Sequence, residues 1–343
     1  MEENMKEQSI NLFSDSFSEA LTNIRIFRYF FLIHELSKYG IIDSISIPGM
    51  TVERLCKDHS LVTEKSLRVI AFLESLGVIY RDKKQISLTK FGSLFSANSE
   101  ESLIGVLDFV FSNEVMSAYK NLVPSLRDDR NAFNIANGSE AFELDPSGSF
   151  HQVFQKAMDA TSVELNKLVA ASLGAIVPEG NRLLDLGGGS GSLLVEVSKS
   201  RSDLKLINFD INKHPRSGLF ENVIGDFFKN EIPKSDITIL KKIIHDWGDE
   251  QVVKILRKVR QESKPKKVIV IDTLVSSEDQ RISKVSKALM DMEMLIMHGG
   301  GRERKFKDFQ NLAYESGYSL ERSFSLNSLY HFIILEPFER KQT

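Results

Sequence analysis

The sequence predicts an α/β protein in two parts: a mostly helical N-terminal region with winged-helix order, then a mainly parallel sheet covered by helices. Two observations carry this. Residues from about 15 to 110 read as short helices closed by a hairpin. From residue 182 onward, short apolar strands alternate with helical stretches, the pattern of a parallel sheet with helices on both faces.

The elements follow in order. Thr51 is placed to cap a helix beginning at Val52, with Glu53 in its first turn. The next helix spans 63–73, with Leu67, Ile70, Ala71, Leu73 and Leu76 on its apolar side, and Gly77 ends it. Val78-Ile79-Tyr80 and Gln85-Ile86-Ser87-Leu88 pair across the polar turn Arg81-Asp82-Lys83-Lys84. Upstream, the apolar stretch 26–33 is broken by Arg28 and stops at His34 and Glu35. A membrane span needs about 20 apolar residues, so this stretch reads as a buried helix. Residues 113–150 are helical at first, then loop-rich around Pro124, Gly138, Pro146 and Gly148, and a long amphipathic helix covers 151–172. Strands are expected at 182–186, 204–209, 236–240 and 267–271, with a closing antiparallel pair at 318–321 and 330–335. The domain boundaries expected are therefore 1–112, a helical linker region 113–150, and 151–343.

Composition narrows the class. The 343 residues are 42% hydrophobic and 27% charged, as in ordinary globular proteins. With 44 basic against 47 acidic residues, no global field favours nucleic acid or an anionic membrane. Cys56 is the one cysteine, which excludes an intrachain disulfide and a multi-cysteine metal site and fits a reducing cytoplasm. The opening MEENMKEQSINLF is acidic and polar, where a signal peptide needs a basic start and an apolar core. A cytoplasmic protein is expected.

The segment Asp185-Leu186-Gly187-Gly188-Gly189-Ser190-Gly191-Ser192 follows a strand and opens a helix. Glycines there permit a sharp turn and close approach of a ligand to the backbone; the alternative is a tight turn with no ligand. A dinucleotide fingerprint starting at Gly187 would need glycine at position 192, which is Ser192. The acid at Asp185 suits a cationic or amine-bearing ligand such as a sulfonium amino acid better than a pyrophosphate. Asp210 ends the second strand, where a carboxylate can accept from both ribose hydroxyls. Gly225-Asp226-Phe227-Phe228 then offers a carboxylate for an adenine amino group and an aromatic face for its ring. Singly these are a turn acid and a core aromatic; in this order they form an adenosine site.

Lys241-Lys242-Ile243-Ile244-His245-Asp246-Trp247 spans the end of the next strand, and ligands of open α/β sheets bind outside the carboxyl ends of strands. His245 would face that crevice, the alternative being a structural histidine. A histidine of pKa about 6.5 suits removal of a phenolic proton of pKa about 10. No metal is expected, since His245 and Asp246 are adjacent and lack further ligands at convincing spacing.

With these motifs the chain resembles the plant-type and bacterial small-molecule O-methyltransferases, whose Rossmann-like methyltransferase domain follows a winged-helix dimerisation domain. The resemblance runs from about residue 20 to 337 and rests on LLDLGGGSGSLL, GDFF, LKKIIHDWGDEQVVKILR and GGGRERKFKDFQNLAYESGY. It implies S-adenosyl-L-methionine as cofactor, bound by Asp185, Gly187, Gly189, Asp210, Asp226, Phe227 and Lys241. It implies His245 as the base, flanked by Asp272 and Glu303. The family usually has Glu at the first of these acids, so the shorter Asp272 is expected to leave Glu303 as the principal partner. The long helix would wall the acceptor site with Phe154 and Met158. Asp246, Met294, Met297 and His298 are the remaining substrate-binding candidates, drawn from a stretch with four methionines at 290, 292, 294 and 297. The implied acceptor is an aromatic small molecule and the implied assembly a homodimer through the N-terminal domain, with no nucleic acid and no membrane. Two rivals stand. The same scaffold could methylate nitrogen or carbon, or carry out a non-methylating reaction. A DNA-binding regulator would use Lys65, Arg68, Arg81, Lys83 and Lys84, but Glu64, Glu74 and Asp82 are interleaved with them.

Overall fold

The computed structural model describes residues 17–144, 148–174, 176–212, 218–276 and 278–339. The N-terminal leader expectation and Pro146 lie outside them. The chain divides into two compact units, Met1–Phe111 and Ser112–Thr343. Among the described residues no helix is long and apolar enough to cross a membrane.

The first unit contains helices α1 (Phe17–Lys38), α2 (Ile41–Ile45), α3 (Val52–Asp58) and α4 (Thr63–Ser75), and an antiparallel hairpin of β1 (Ile79–Asp82) and β2 (Gln85–Leu88). Helices α5 (Lys90–Ser93) and α6 (Ile104–Val110) complete it. The helix–helix–hairpin order of a winged helix is present. Thr51 Oγ1 accepts the Arg54 N–H at 3.2 Å, the capping bond expected for α3. Gly77, at φ +68°, ends α4 in the left-handed region. The buried stripe of α4 differs from expectation. It runs through Ser66, Ile70 and Leu73, while Leu67 is 44% exposed and Ala71 is exposed too. Ser66 is tolerated inside because its hydroxyl donates to the Val62 carbonyl at 3.0 Å. The hairpin is also tighter than expected, with Asp82 paired to Gln85 and only Lys83 and Lys84 in the turn. Ile26 to Ile33 is helical, but only part of it is buried. Ile33 lies in the core, whereas Phe27 is 59% and Phe31 48% exposed, so the expectation of a buried helix is corrected to one with an open apolar face.

The segment expected as a helical linker region belongs to the second unit. There α7 (Asn113–Lys120), α8 (Leu122–Ser125) and α9 (Ala132–Asn137) precede the long α10 (Ser149–Leu173). Then come β3 (Arg182–Leu186), α11 (Ser192–Ser198), β4 (Lys205–Asp210), β5 (Glu221–Ile224), β6 (Ile237–Lys241), α12 (Asp249–Lys258) and β7 (Lys267–Thr273). The unit closes with α13 (Arg281–Met297), α14 (Phe306–Glu315), β8 (Tyr318–Ser325) and β9 (Tyr330–Pro337). Helix α13 packs against α7 and α9.

The seven strands lie in the order β5-β4-β3-β6-β7-β9-β8. The first five are mutually parallel and the last two antiparallel. The apolar runs of β3, β4, β6 and β7 are buried along nearly their whole length, as expected for strands covered on both faces. One apolar layer gathers Leu184, Phe209, Leu240, Val252 and Phe309, and the other Leu183, Leu193, Ile239, Ile271 and Phe332. Strand order reverses between β4–β3 and β6, which opens a crevice at the carboxyl ends of β3 and β6. The glycine-rich loop and the histidine turn leave the sheet there.

Candidate active site

The glycine loop follows β3 directly. Gly187 has φ +74°, which L side chains rarely adopt, and a Cβ there would sit 2.5 Å from the Ile243 side chain. A Cβ on Gly188 would collide with Asn208 and Asp185. The loop is tied down from β4: the Gly189 N–H donates to Asp210 Oδ2 at 2.8 Å, and Asn208 Nδ2 donates to the Gly189 carbonyl at 3.0 Å. Asp210 Oδ1 accepts the Asn212 N–H at 3.0 Å. Asp210 therefore shapes the loop.

Asp185 is the least satisfied acid here. It is 1% exposed, and neither carboxylate oxygen has a hydrogen-bond partner among the described residues. Burial pushes its carboxyl up to about 6, against the pull of Lys241 and with the help of Asp210. A buried carboxylate without a donor costs free energy until a cationic or N–H-bearing group meets it. Lys241, at the end of β6, donates to Ser162 Oγ at 3.2 Å, and burial lowers its pKa while Asp185 and Asp159 resist.

The third motif follows β5, where the Gly225 N–H donates to the Asp210 carbonyl at 2.9 Å. Asp226 Oδ1 accepts the Phe228 N–H at 2.8 Å, and Lys229 pairs with Oδ2 at 3.0 Å. The Phe227 ring lies beside Gly187 and edge-on to Trp247, with ring centres 5.9 Å apart. Asp185, Gly187, Gly189, Asp210, Asp226, Phe227 and Lys241 thus all lie at or just beyond the carboxyl ends of β3, β4, β5 and β6, although Asp226 is engaged mainly by its own turn.

His245 sits on a short 3-10 turn, Ile244–Asp246, just past β6. Its Nδ1 is 3.0 Å from Glu303 Oε1 and 3.1 Å from Asp272 Oδ1, and its backbone N–H donates to Asp272 Oδ2 at 3.1 Å. Although shorter than the family's usual Glu, Asp272 reaches the ring at ion-pair distance, while the ring's hydrogen bond goes to Glu303, the partner expected. Strand register explains this, since Lys241 pairs with Ile271 and brings Asp272 beside the start of the turn. Asp246 Oδ1 lies 3.5 Å from His245 Nε2 and 3.6 Å from His298 Nε2. Burial lowers the His245 pKa, but Asp272, Asp246 and Glu303 outweigh it and hold the imidazolium up to about 10. Burial raises Asp246 to about 7 against the pull of His245. Burial, then the His245 charge, depresses His298 to about 3, so His298 is a neutral ring. His245, Asp272 and Glu303 bring ligand-type atoms within 4.8 Å of one another. Both carboxylates face the same ring nitrogen, which is hydrogen-bonded to Glu303 and at ion-pair distance from Asp272.

Three participants escaped the sequence reading. Arg304, fully buried, donates to the carbonyls of Ile244 at 2.7 Å and Trp247 at 2.6 Å and pairs with Asp249 at 2.7 Å, clamping the turn that carries His245. Its neighbour Arg302 donates its N–H to the His245 carbonyl at 2.8 Å. The signal was Arg304 itself, next to Glu303 in the quoted GGGRER run. Phe142 stacks on His298 with ring centres 4.8 Å apart and on Trp247 at 5.9 Å, and meets the edge of Phe154 at 5.9 Å. It belongs to no motif and lies in a stretch read as loop. Lys242 is the third, with its Nζ 3.5 Å from Met158 Sδ. On α13, Met294 and Met297 are buried, Met290 packs against the core and Met292 is exposed.

The family description "O-methyltransferase domain" matches residues 119–319. The chain is 31% identical over 305 residues to myricetin 3-O-methyltransferase 3 from Solanum habrochaites, covering 83% of this chain and 81% of that protein. Its fold is that of human N-acetylserotonin methyltransferase in complex with SAM, with a TM-score of 0.79 at 23% identity over 94% of this chain and 99% of the other. An N,N-8-amino-8-demethyl-D-riboflavin dimethyltransferase from Streptomyces davawensis shares the fold as well, with a TM-score of 0.70 at 19% identity over 94% and 100% of the two chains.

Proposed function

The chain belongs to the S-adenosylmethionine-dependent O-methyltransferase family, and from that premise we propose that it methylates a hydroxyl of an aromatic small molecule with His245 as general base. One observation carries the base assignment: Nδ1 of His245 is held between Asp272 and Glu303, so Nε2 is the nitrogen left to take a proton. The two acids fix the ring's orientation and stabilise its protonated form. Phe142, Phe154, His298 and Trp247 form a ring-lined wall beside this histidine, which suits a flat acceptor, as does the similarity to a myricetin methyltransferase.

The residues of the crevice fit the cofactor, because the unpartnered Asp185 carboxylate awaits a cationic or N–H-bearing group. Bound S-adenosylmethionine supplies a methyl group already activated on a sulfonium. In this reading Asp185 and the Gly187–Gly189 backbone receive its amino-acid part, Asp210 the ribose, and Asp226 with Phe227 the adenine. Lys241 borders the same pocket. The protein's remaining work is alignment of the acceptor and removal of its proton.

The raised His245 pKa gives a test. Only the neutral ring accepts a proton, so kcat/KM rises with pH towards the histidine's own pKa. Asp272→Asn removes a negative charge beside Nδ1, destabilises the imidazolium and lowers that pKa. With one acceptor for both proteins, the rising limb of the variant is expected about one pH unit or more below that of the wild type. A limb that stays in place in profiles of kcat/KM against pH contradicts the assignment of His245.

The dimer is proposed through the N-terminal unit, with the exposed Ile24, Phe27 and Phe31 of α1 covered by a second copy. Replacing Phe27 and Phe31 together by Asp is then expected to give a monomer by sedimentation equilibrium, and a wild-type monomer at all concentrations refutes the contact.

A further inference from the structure

Two lysines of the second unit, Lys287 buried and Lys242 half-buried, have opposite surroundings. Lys287 is satisfied: its Nζ pairs with Asp279 at 2.7 Å and donates to the Leu274 carbonyl at 2.8 Å. Lys242 is not. Its Nζ has Thr161 Oγ1 at 3.1 Å and Met158 Sδ at 3.5 Å, and no carboxylate among the described residues forms an ion pair with it. A thioether is a weak acceptor, so an ammonium with three donors is left under-used. Burial, then the charge of Lys241, brings its pKa down to about 8, with Asp246, Glu293 and Asp272 acting on it only from beyond contact.

The backbone at Lys242 is unusual too. Among the described residues, Ser60, Lys83, Lys242 and Lys264 are the non-glycine residues with positive φ, and Lys242 (φ +57°) is the one beside the histidine turn. Such a conformation is strained in a non-glycine residue and persists where surrounding structure enforces it. Here the Lys242 N–H donates to the Ile271 carbonyl at 2.9 Å, and the side chain reaches α10 at Met158 and Thr161. Met158 is also the residue expected on the acceptor wall. The ammonium therefore stands beside it, three positions before His245 in the chain, without a counter-ion at contact among the described residues.

We propose that Lys242 is an anion subsite of the acceptor pocket, and that the acceptors are aromatic hydroxy acids whose carboxylate docks on Lys242 while a ring hydroxyl faces His245. This rests on the reading of His245 given above. The carboxylate supplies the strong acceptor that Thr161 and Met158 do not, and it fixes which hydroxyl of the ring is presented. A charge-assisted contact of this kind orients the acceptor as well as holding it.

The test is equilibrium binding to the full-length protein in the presence of S-adenosylhomocysteine. The ligands are paired hydroxy acids and their carboxamides on one-, two- and three-ring aromatic frames. The wild type is expected to favour the acid over its amide in at least one pair. Lys242→Met lowers that acid-to-amide ratio about 30-fold, the scale of a lost hydrogen bond to a charged group, and Lys242→Arg recovers most of it. S-adenosylhomocysteine affinity on the same samples reports that each variant is folded. Equal affinity, or no binding, for acid and amide in every pair overturns the subsite, as does a ratio that Lys242→Met leaves in place. An acid that binds through Lys242 and is not methylated leaves the subsite standing and counts against the methyl-transfer reading.

Discussion

Replacing His245 by Ala is expected to lower kcat/KM for methyl transfer by about 10²–10⁴, the range of general-base contributions. S-adenosylmethionine binding is expected to stay within about threefold, because His245 faces Asp272, Glu303 and Asp246 while the glycine loop is held from β4. The two readouts separate a lost base from a lost fold. Some rate persists in such a variant, since a sulfonium methyl is already activated and alignment by Phe154, Phe142 and Trp247 is untouched. Steady-state kinetics on a hydroxyaromatic acceptor, with calorimetry for the cofactor, measure both quantities. Undiminished turnover would remove His245 from the chemistry.

The second large effect concerns Asp185 and has opposite signs in the two states of the protein. Asp185→Asn keeps the shape but removes the charge that awaits the cofactor. Its dissociation constant for S-adenosylmethionine is expected to rise about 10- to 100-fold, the scale of a lost charge-assisted hydrogen bond. The ligand-free variant is expected to melt no lower than the wild type. Folding then no longer has to bury a carboxylate that has no hydrogen-bond partner among the described residues. The sign also depends on pH. The Asp185 pKa is raised on folding to about 6, so its cost to the ligand-free fold is absent at low pH and grows as pH rises through the unfolded value towards 6. The stability advantage of Asp185→Asn should therefore be present at neutral pH and fade on acidification. Thermal melts with and without cofactor check both directions, and a less stable ligand-free variant contradicts the role given to Asp185.

Much of the scaffold was legible because its signals are local or strongly periodic. The almost wholly buried strands of 182–186 and 267–273 announce themselves as apolar runs, and Thr51 and Gly77 mark helix ends by mechanisms that need no tertiary context. The misses have physical causes. Strand β5 is a half-exposed edge of four residues, ENVI, with no apolar run to betray it. In α4 the choice between Leu67 and Ser66 as the inward residue turns on a hydroxyl bonded back to Val62, which hydrophobicity does not record. The apolar stretch of α1 was read as buried, yet its composition carries no information on which face finds a partner within the unit.

The site divides in the same way. Gly187, Asp210 and His245 could be placed from their positions at strand ends, because the topology of a parallel sheet gathers those ends into one crevice. Asp272 could not be judged from side-chain length. Its reach depends on the β6–β7 register and on a carboxylate that accepts from the backbone N–H of His245 with one oxygen and faces the ring with the other. Phe142 is remote in sequence from the rings it stacks on, so nothing local marked it. Arg304 was visible only as a charge within a motif, whereas its contacts are with backbone carbonyls some 60 residues earlier.

The fold alone leaves the methylated atom open, since an N,N-dimethyltransferase shares it. The decisive measurement is therefore the fate of the methyl group. The protein would be incubated with S-adenosylmethionine carrying a ¹³C-methyl label and a panel of hydroxyaromatic acids, phenols and aromatic amines, and the products read by carbon NMR. The label is expected on oxygen, with the signal falling by orders of magnitude in His245→Ala. Label found only on nitrogen or carbon, or an oxygen-linked signal that His245→Ala leaves undiminished, would contradict the account.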